Sequence, residues 1–344
     1  MRIAINGFGR IGRLFLRQAL SNGGNNLEFV AINDLGDINN LAYLLKHDTV
    51  YRIYDKSVEV KGGDLMVDGK AIKFFQVKNP AELPWKDLNI DLVIESTGVF
   101  ESYEKAKVHL DSGAKRVLLT APSKDEDGDL GRTVLMGINE GQIGACRITS
   151  NASCTTNSTS PVMAIMSETV GVEKALLNTV HAYTATQNLV DGPVKGTDYR
   201  RGRAGAQNIS PSTTGAAIAI TRIIPQLAGI FDAISFRTPI VTGSAANITF
   251  LAKRKTTVEE INNIFREAEK NPRWNGILAV TEDQLVSSDI IGSPFGAIVD
   301  LKFTKVIDGD LVNVLSWYDN EYGYVATLIK HAKQIAKALS TFDI

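Results

Sequence analysis

The opening stretch of the chain combines two apolar runs with a glycine-rich turn. Residues 2–6 form a short apolar run typical of a buried strand, and residues 7–12 contain glycines in the pattern G-x-G-x-x-G. A second apolar run covers residues 29–33. Between the turn and this run, apolar residues recur at helical spacing, at Ile11, Leu14, Phe15 and Ala19. The pattern predicts a strand, a turn, a helix and a second strand, which is how a parallel βαβ unit begins.

The glycine turn has the spacing of a dinucleotide-binding fingerprint. Gly7 permits the tight turn, Gly9 lets backbone amides approach a pyrophosphate, and Gly12 allows the helix to pack closely on the strand. Asp34 follows the second strand about twenty residues beyond the glycines, where a carboxylate can bind ribose hydroxyls. Because Asp34 would repel a 2′-phosphate, the predicted cofactor is NAD rather than NADP. The alternative is an ordinary βαβ turn with incidental glycines.

Two later apolar runs predict further strands of the same sheet. Residues 92–95 and 117–120 each end in small or hydroxylic residues. Ligands of an open α/β sheet bind beyond the carboxyl ends of its strands. We therefore expect cofactor contacts from Thr97, Gly98 and Thr120, with generic loop chemistry as the alternative.

A cysteine lies within a hydroxyl-rich octet near the middle of the chain. Residues 150–157 read Ser-Asn-Ala-Ser-Cys-Thr-Thr-Asn and precede an apolar-periodic segment, so Cys154 is predicted at the start of a helix. Unpaired backbone N–H groups and the helix dipole favour a thiolate there, which lowers the pKa of the cysteine and makes it nucleophilic. The alternative is a buried and inert cysteine.

A histidine is predicted to return to this cysteine. About sixteen helical residues after Cys154 span roughly 24 Å. About eight residue steps from Glu173 to His181 span roughly 26 Å as a strand. If the strand runs back along the helix, His181 lies at the level of Cys154 and can act as a general base for acyl chemistry. The alternative is a purely structural histidine.

The second half of the chain contains two candidate anion sites. Residues 212–215 (Ser-Thr-Thr-Gly) precede a helical run, and hydroxyl and amide groups at a helix start suit phosphate. Arg237 follows a strand, and its guanidinium suits bidentate phosphate binding. The basic, glycine-rich residues 191–207 predict a long surface loop. Its arginines are solvated, bind phosphate or contact a neighbouring subunit.

The predicted fold class is α/β with two domains. Residues 1–153 should form a Rossmann-type doubly wound parallel sheet, completed by the C-terminal helix within residues 320–344. Short strand-like runs between residues 50 and 84 predict a hairpin insertion at the edge of that sheet. Long strands with few helices in residues 154–319 predict an α+β catalytic domain, with a mostly antiparallel sheet and helices on one face.

Composition narrows the function classes. A chain of 344 residues with 44% hydrophobic content can bury two cores. Its 37 basic and 38 acidic residues leave a net charge of −1, which argues against a dedicated nucleic-acid or membrane surface. The two cysteines, Cys146 and Cys154, are too few for a disulfide framework and lack metal-site spacing, so no metal is predicted. With no signal-like or bilayer-length apolar run, we expect a cytoplasmic protein.

Together these segments resemble the glyceraldehyde-3-phosphate dehydrogenase family. The matching blocks lie in the family's order over nearly the whole chain, and jointly they are highly specific. They are residues 5–12, residues 33–34, the cysteine octet, His-Ala-Tyr-Thr-Ala-Thr-Gln at 181–187, Ser-Thr-Thr-Gly-Ala-Ala at 212–217, and Trp-Tyr-Asp-Asn-Glu at 317–321.

The resemblance implies a phosphorylating oxidation of D-glyceraldehyde 3-phosphate with NAD and inorganic phosphate. Cys154 would attack the aldehyde to form a thiohemiacetal, and His181 would take the hydroxyl proton as hydride passes to the nicotinamide. Phosphate would then cleave the thioester to 1,3-bisphosphoglycerate. The backbone amide of Cys154, together with His181, would stabilise the tetrahedral oxyanions.

The resemblance also implies binding residues and an assembly. The C3 phosphate of the substrate would meet Thr184, Thr186 and Arg237. The attacking phosphate would meet Ser153, Thr155, Thr214 and Gly215. The cofactor residues would be Gly7, Gly9, Arg10, Ile11, Gly12, Asp34, Lys78, Thr97, Gly98, Thr120 and Asn320. Lys78 would lie beside the adenine and Asn320 would hold the nicotinamide carboxamide, while Pro193 matches a position near a neighbour's adenosine ribose. The family is homotetrameric.

The chain departs from the family's pattern mainly at positions associated with subunit contacts. Ser158 stands where many members have a second cysteine, one helical turn after the nucleophile. Residues 50–56, 209–211 and 243–248 also differ from the usual segments.

Two other functions stay open. Erythrose-4-phosphate dehydrogenase is a similar enzyme that hydrolyses its thioester, although residues 184–187 and 191–193 favour the phosphorylating enzyme. A non-catalytic NAD-binding redox sensor would use Cys154 as an oxidisable thiol. Such a sensor would need neither His181 nor the two phosphate-site clusters.

Overall fold

The computed structural model describes residues 1–21, 26–194 and 196–342. The chain divides into two compact units, Met1–Ala152 with Leu328–Ile344, and Ser153–Thr327. The boundaries predicted from the sequence follow residues 153 and 319.

The first unit is built on a nine-stranded sheet. Its elements are β1 (Arg2–Asn6), α1 (Arg10–Ser21), β2 (Glu28–Asn33), α2 (Ile38–Lys46), β3 (His47–Asp48), β4 (Arg52–Ile53), β5 (Val58–Lys61), β6 (Asp64–Val67), β7 (Lys70–Phe75), β8 (Leu92–Glu95), α3 (Tyr103–Ala106), α4 (Val108–Asp111), β9 (Arg116–Leu119), β10 (Gly131–Thr133) and β11 (Ile148–Ser150). The strand order is β10-β11-β9-β8-β1-β2-β7-β6-β5. The strands from β10 to β7 pair in parallel, with β1 inside the sheet, as a doubly wound fold requires.

The edge of this sheet carries the predicted hairpin insertion. Strands β5, β6 and β7 pair antiparallel with one another, and β7 pairs in parallel with β2. Tight turns with left-handed backbone at Gly62, Gly63 and Gly69 connect these strands. The middle of β1 is apolar, and its residues Ile3, Ala4 and Ile5 are wholly buried. A strand covered on both faces has this composition.

The second unit contains a seven-stranded mixed sheet. Its elements are α5 (Cys154–Thr169), β12 (Val172–Ala182), β13 (Ser210–Thr213), α6 (Ala216–Ile223), β14 (Phe231–Thr238), β15 (Ser244–Ala252), α7 (Val258–Lys270), β16 (Leu278–Thr281), β17 (Ala297–Ile307), β18 (Leu311–Tyr318) and the start of α8 (Tyr322–Phe342). The strand order is β13-β14-β12-β15-β18-β17-β16. Only the pairs β12–β14 and β16–β17 are parallel, so the sheet is mostly antiparallel, as predicted. Helix α5 contacts α6, α7 and the strands beneath, which places these helices on one face.

Two classes of feature are absent from the described residues. Across residues 1–21, 26–194 and 196–342, no helix is both long enough and apolar enough to span a membrane. Within the same ranges, no three His, Cys, Asp or Glu side chains are placed to hold a metal ion.

The core of the first unit contains a histidine that resists protonation. His331 of α8 is fully buried, its Nδ1 lies 3.2 Å from Asn151 Oδ1, and its Nε2 has no hydrogen-bond partner. Burial, with the nearby charge of Arg116, lowers the pKa of His331 from 6.5 to about 3. The unfolded chain therefore takes up a proton below pH 6.5 that the folded chain cannot bind. The contribution of the neutral His331 to the free energy of unfolding is therefore fully present above pH 6.5, and it is lost as the pH falls toward 3.

We expect the variant His331→Leu to weaken this pH dependence. Between pH 7.5 and pH 5, the neutral buried histidine should cost about 2 kcal/mol of unfolding free energy. Leucine has a similar volume and cannot be protonated, so the variant should lose less stability over this range. Chemical unfolding at the two pH values measures the difference. His47→Gln is the matched control because His47 is exposed, and an equal acid loss in His331→Leu and the wild type would contradict the prediction.

Candidate functional site

The start of helix α5 presents the cysteine. Ser153 caps the helix, since its Oγ accepts a hydrogen bond from Thr156 N at 3.1 Å. The preceding residue, Ala152, is fully buried and has a left-handed φ of 53°. An alanine tolerates this backbone only where the surrounding structure holds it. Cys154 is consequently fixed as the first residue of the helix and remains partly exposed.

Strand β12 brings a histidine to the cysteine, as the element lengths predict. Gly171 has a left-handed φ of 73°, which allows the chain to reverse direction between α5 and β12. His181 lies near the end of β12 and is 3% exposed. Its Nε2 is 3.3 Å from Cys154 Sγ. The two side chains are within hydrogen-bonding reach, which is the geometry of a nucleophile and its base.

Burial determines the protonation of this pair. Burial raises the pKa of the Cys154 thiol, although the charge of Arg237 and the backbone amide of Thr155 oppose the shift. Burial and the same arginine lower the pKa of His181 to about 3. The resting pair is therefore a neutral thiol beside a neutral imidazole. The expectation that the helix start lowers the thiol pKa is wrong here, because desolvation outweighs it.

Arg237 contacts the far side of the imidazole. Arg237 is directly opposite His181 in the parallel pairing of β14 with β12, and its Nη1 lies 2.6 Å from His181 Nδ1. The carbonyl oxygen of Ala182 also lies 2.7 Å from Nδ1. Because a guanidinium only donates, Nδ1 either accepts from Arg237 or donates to Ala182. Only the second tautomer leaves Nε2 unprotonated toward the sulfur.

Tyr318 supports the pair from the end of β18. Its hydroxyl bonds Thr155 Oγ1 at 3.0 Å and Thr179 Oγ1 at 2.7 Å. Its ring meets the imidazole of His181 edge to face, with centroids 5.9 Å apart. Tyr318 thus connects the helix of the cysteine to the strand of the histidine. The sequence places it only within a matching block and indicates no such role.

Hydroxyl groups cluster in two loops of the second unit. After β12, Thr184 Oγ1 lies 2.9 Å from Thr186 Oγ1. Before α6, Thr214 Oγ1 accepts from Ala216 N at 3.2 Å, and Gly215 is the N-cap without a side-chain bond. Gly215 puts no side chain over the start of α6, so an anion could bind there beside the Thr214 hydroxyl.

The structure distinguishes the three arginines of the basic loop. Arg200 pairs with Asp198 and Arg203 with Asp191, each at 2.7 Å. Arg201 lies farther from Asp198, at 3.8 Å, and also donates to Ser212 Oγ at 3.2 Å. Its charge contributes to lowering the pKa of Arg237. One loop arginine therefore joins the anion cluster. The sequence leaves these roles open because charge density alone cannot rank them.

The glycine turn of the first unit fits a dinucleotide. Gly7 has a φ of 93°, and a Cβ on it would lie 2.6 Å from the backbone nitrogen of Thr97. A Cβ on Gly12 would lie 2.2 Å from the carbonyl oxygen of Gly7. A Cβ on Gly9 would meet nothing within 4 Å. The turn is closed on its strand side and open above Gly9, where the first amides of α1 could bind a pyrophosphate.

The side chains of two predicted cofactor residues already bind other groups of the first unit. Arg10 pairs with Asp48 at 2.5 Å, so its predicted cofactor contact, like that of Ile11, would come from the backbone amide. Asp34 accepts from Phe8 N at 2.6 Å and Gly36 N at 2.8 Å. A carboxylate has further lone pairs, so Asp34 can still accept from ribose hydroxyls.

A cavity and a loop complete the candidate cofactor site. The cavity has a volume of about 630 Å³ and is lined by Gln76, Val77, Lys78, Asn79, Pro80, Glu82 and Phe100, which includes the residue predicted beside the adenine. The loop after β8 approaches the glycine turn through Ser96 Oγ, which donates to Gly7 O at 2.6 Å. This loop contains Thr97 and Gly98, the latter with a φ of 70°. Thr120 N joins β8 by donating to Glu95 O at 3.0 Å.

The amide of Asn320 has a fixed orientation within the second unit. Its Oδ1 accepts from Gly243 N at 3.1 Å and Ser244 Oγ at 2.9 Å, and from the hydroxyl of Thr242. The oxygen of the amide therefore points toward these donors, and its NH₂ end points away from them. Residues 243–248 are among the segments that depart from the family's usual sequence, and two of them hold this amide.

Comparison with known families gives matches to two domain models. Residues 1–103 match the model described as glyceraldehyde 3-phosphate dehydrogenase, NAD binding domain, and residues 153–320 match its C-terminal domain. The chain belongs to the glyceraldehyde-3-phosphate dehydrogenase family. Its cofactor is NAD, in agreement with Asp34 and the glycine turn.

Curated relatives extend the similarity over nearly the whole chain. The glyceraldehyde-3-phosphate dehydrogenase of Thermotoga maritima is 49% identical over 94% of this chain and 95% of its own length. That of Borreliella burgdorferi is 44% identical over 98% of this chain and 100% of its own. Glyceraldehyde-3-phosphate dehydrogenase 2 of Streptomyces avermitilis is 45% identical over 96% of both chains.

Proposed function

We propose that the chain converts D-glyceraldehyde 3-phosphate to 1,3-bisphosphoglycerate with NAD and inorganic phosphate, through a thioester on Cys154. The observation that carries the proposal is the separation of 3.3 Å between Cys154 Sγ and His181 Nε2, beside the guanidinium of Arg237. Membership of the glyceraldehyde-3-phosphate dehydrogenase family supports the substrate and the cofactor.

The chemistry follows from the nucleophile and its base. Cys154 Sγ adds to the aldehyde carbon, and the thiol proton passes through His181 Nε2 to the carbonyl oxygen, giving a thiohemiacetal. His181 Nε2 then takes the hydroxyl proton while the carbon loses its hydride, and a thioester remains. Bound NAD supplies the hydride acceptor. An oxygen of phosphate attacks the thioester, the carbon–sulfur bond breaks, and the sulfur is reprotonated. The Cys154 amide and His181 stabilise the oxyanions.

The anion clusters bind the two phosphates. Thr184, Thr186 and Arg237 take the C3 phosphate of the substrate. The attacking phosphate binds the clusters at the starts of α5 and α6, namely Ser153, Thr155, Thr214 and Gly215, and Arg201 adds its charge there. When Arg237 turns to a substrate phosphate it leaves His181 Nδ1, which then donates to the Ala182 carbonyl. Substrate binding thereby favours the tautomer in which Nε2 is the base.

The residues of the glycine turn and its neighbours bind the cofactor. The amides around Gly9, Arg10 and Ile11 take the pyrophosphate. Asp34 binds the ribose hydroxyls and excludes a 2′-phosphate, and Lys78 lies beside the adenine. The remaining contacts are Gly7, Gly12, Thr97, Gly98, Thr120 and Asn320, of which Asn320 donates to the nicotinamide carboxamide.

A homotetramer and a cytoplasmic location are also proposed. Apolar side chains on the second unit are well exposed in a single chain, with Leu176 and Ile234 at 44% and Phe303 at 53%. Such a surface is typical of a subunit interface. A nucleophilic thiol also needs a reducing compartment to stay reduced.

The requirement for phosphate tests the reaction. With glyceraldehyde 3-phosphate and NAD but no phosphate, the enzyme should release about one NADH per Cys154 and then stop, because the thioester persists. Adding phosphate should start continuous turnover. Stopped-flow absorbance of NADH measures both phases.

The rival functions give different results in the same experiment. Continuous NADH formation without phosphate would show thioester hydrolysis, as in erythrose-4-phosphate dehydrogenase, and parallel assays with erythrose 4-phosphate would identify it. Absence of both burst and turnover, with NAD still bound, would favour the redox sensor.

A further inference from the structure

We propose that Glu95 is the positioning residue of the NAD site and that His109 completes its network. Glu95 is the last residue of β8 and is 4% exposed. His109 of α4 is fully buried. The inference rests on the cofactor site proposed above and concerns residues that do not touch the cofactor themselves.

Both oxygens of Glu95 accept hydrogen bonds. Oε2 accepts from Asn6 Nδ2 at 2.6 Å and from His109 Nε2 at 3.0 Å. Oε1 accepts from Thr97 N at 2.9 Å and from the hydroxyl of the same threonine. A buried carboxylate is costly unless such donors replace its water, and hydrogen bonds to a charged acceptor are the stronger kind. These hydrogen bonds hold the Glu95 carboxylate and its donors in place relative to one another.

The network reaches three segments of the proposed cofactor site in the first unit. Asn6 ends β1 and directly precedes Gly7 of the glycine turn. Asn6 Oδ1 accepts from Asn33 Nδ2 at 2.7 Å, at the end of β2. Asn33 Oδ1 in turn accepts from Val77 N at 2.9 Å, in the wall of the cavity that includes Lys78. The network thus crosses the carboxyl ends of β8, β1 and β2, which are neighbours in the sheet.

The proton on His109 is assigned by a tryptophan. The indole Nε1 of Trp85, which is fully buried, lies 3.1 Å from His109 Nδ1. An indole N–H can only donate, so Nδ1 must be the acceptor and the ring proton is on Nε2. His109 Nε2 then donates to Glu95. Trp85 therefore fixes His109 as a donor, and Glu95 needs that donor.

The variant Glu95→Gln should disturb the cofactor segments. Glutamine has the same shape, but one end of its amide is a donor. Turned one way, that end meets the Thr97 amide; turned the other way, it meets Asn6 Nδ2 and His109 Nε2–H. Either the loop after β8 or the residue before the glycine turn must move. We expect the Kd for NAD to rise about 10-fold, the effect of losing one hydrogen bond to a charged group.

Two replacements of His109 separate its two contacts. A glutamine at position 109 can place its NH₂ where Nε2 lies and keep the bond to Glu95, whereas an asparagine reaches only toward Trp85. We expect His109→Gln to bind NAD within about twofold of the wild type and His109→Asn to bind about 5-fold more weakly. Calorimetric titration with NAD measures each Kd, and thermal unfolding measures stability.

A control in the same unit distinguishes positioning from general loosening. Tyr103 is 1% exposed and donates to Asp127 Oδ1 at 2.7 Å, and neither residue is among the proposed cofactor contacts. Tyr103→Phe should lower the unfolding midpoint without changing the Kd for NAD. The alkylation rate of Cys154 should be unchanged in all variants, because that residue lies in the second unit.

The possible outcomes test the role of Glu95 separately from the proposed enzymatic function. An unchanged Kd in folded Glu95→Gln, or an equal rise in Tyr103→Phe, overturns the role of Glu95 while wild-type activity stands. If Glu95→Gln does not fold, equal Kd values for the two His109 variants overturn it. Failure of the wild type to bind NAD would instead remove the proposed function.

Discussion

Replacing His181 with asparagine is expected to lower kcat for NADH formation by about 10²- to 10⁴-fold, the usual contribution of a general base. The imidazole Nε2 lies 3.3 Å from Cys154 Sγ. Asparagine can still donate a hydrogen bond but cannot take the thiohemiacetal proton. Steady-state and single-turnover NADH formation from glyceraldehyde 3-phosphate measure the effect.

The same variant should change the burst as well as the turnover. If His181 removes the proton during hydride loss, the first NADH per Cys154 must also form slowly. His47→Asn serves as the control, since His47 is exposed and lies in the first unit. Unchanged turnover in His181→Asn would show that the assignment of the base is wrong. A slow steady state with a normal burst would place His181 in thioester cleavage alone.

Cys154→Ser is expected to abolish both the burst and steady-state NADH formation. A serine hydroxyl is a far weaker nucleophile than a thiol, because an alkoxide forms far less readily than a thiolate. NAD binding should remain, because the glycine turn and Asp34 belong to the first unit. Rapid-mixing absorbance gives the burst, and mass measurement of the acid-quenched enzyme detects the acyl group on Cys154.

Cys146→Ser is the matched control for that experiment. Cys146 is 6% exposed and its Sγ donates to the carbonyl oxygen of Ile148 at 3.1 Å. Burial raises the pKa of this thiol, as it does for Cys154, but its Sγ is hydrogen-bonded to a backbone carbonyl rather than placed beside a base, so we expect an inert core side chain. Its replacement should leave the burst intact. Full activity in Cys154→Ser, or loss of the burst in Cys146→Ser, would contradict the assignment of Cys154 as the nucleophile.

On the proposed mechanism, the resting state of the site accounts for the need for both Cys154 and His181. A neutral thiol and a neutral imidazole are each weakly reactive, and the buried surroundings keep them so. Arg237 lies against the imidazole and can be drawn away by a phosphate. On the proposed mechanism, a substrate phosphate that draws Arg237 away would favour the tautomer in which His181 Nε2 can act as the base.

Local sequence patterns were sufficient to predict the backbone elements that carry the site. The glycine turn follows from backbone requirements at Gly7 and Gly12, which any sequence must meet to place a helix so close to a strand. The start of α5 follows from the hydroxyl-rich octet and the periodicity after it. The return of His181 follows from the lengths of one helix and one strand. Each inference depends on neighbours in the sequence.

Other features depended on side chains that meet only in the folded chain. Arg201 joins the anion cluster through Ser212, Tyr318 joins α5 to β12, and Glu95 gathers donors from β1 and α4. None has a spacing or a periodicity that indicates its partner. The pKa of the Cys154 thiol also depends on the folded chain, because desolvation is set by all the residues packed around the sulfur. The sequence by itself determined the elements and the chemical groups they carry, whereas the tertiary structure decided which groups touch and how much water they lose.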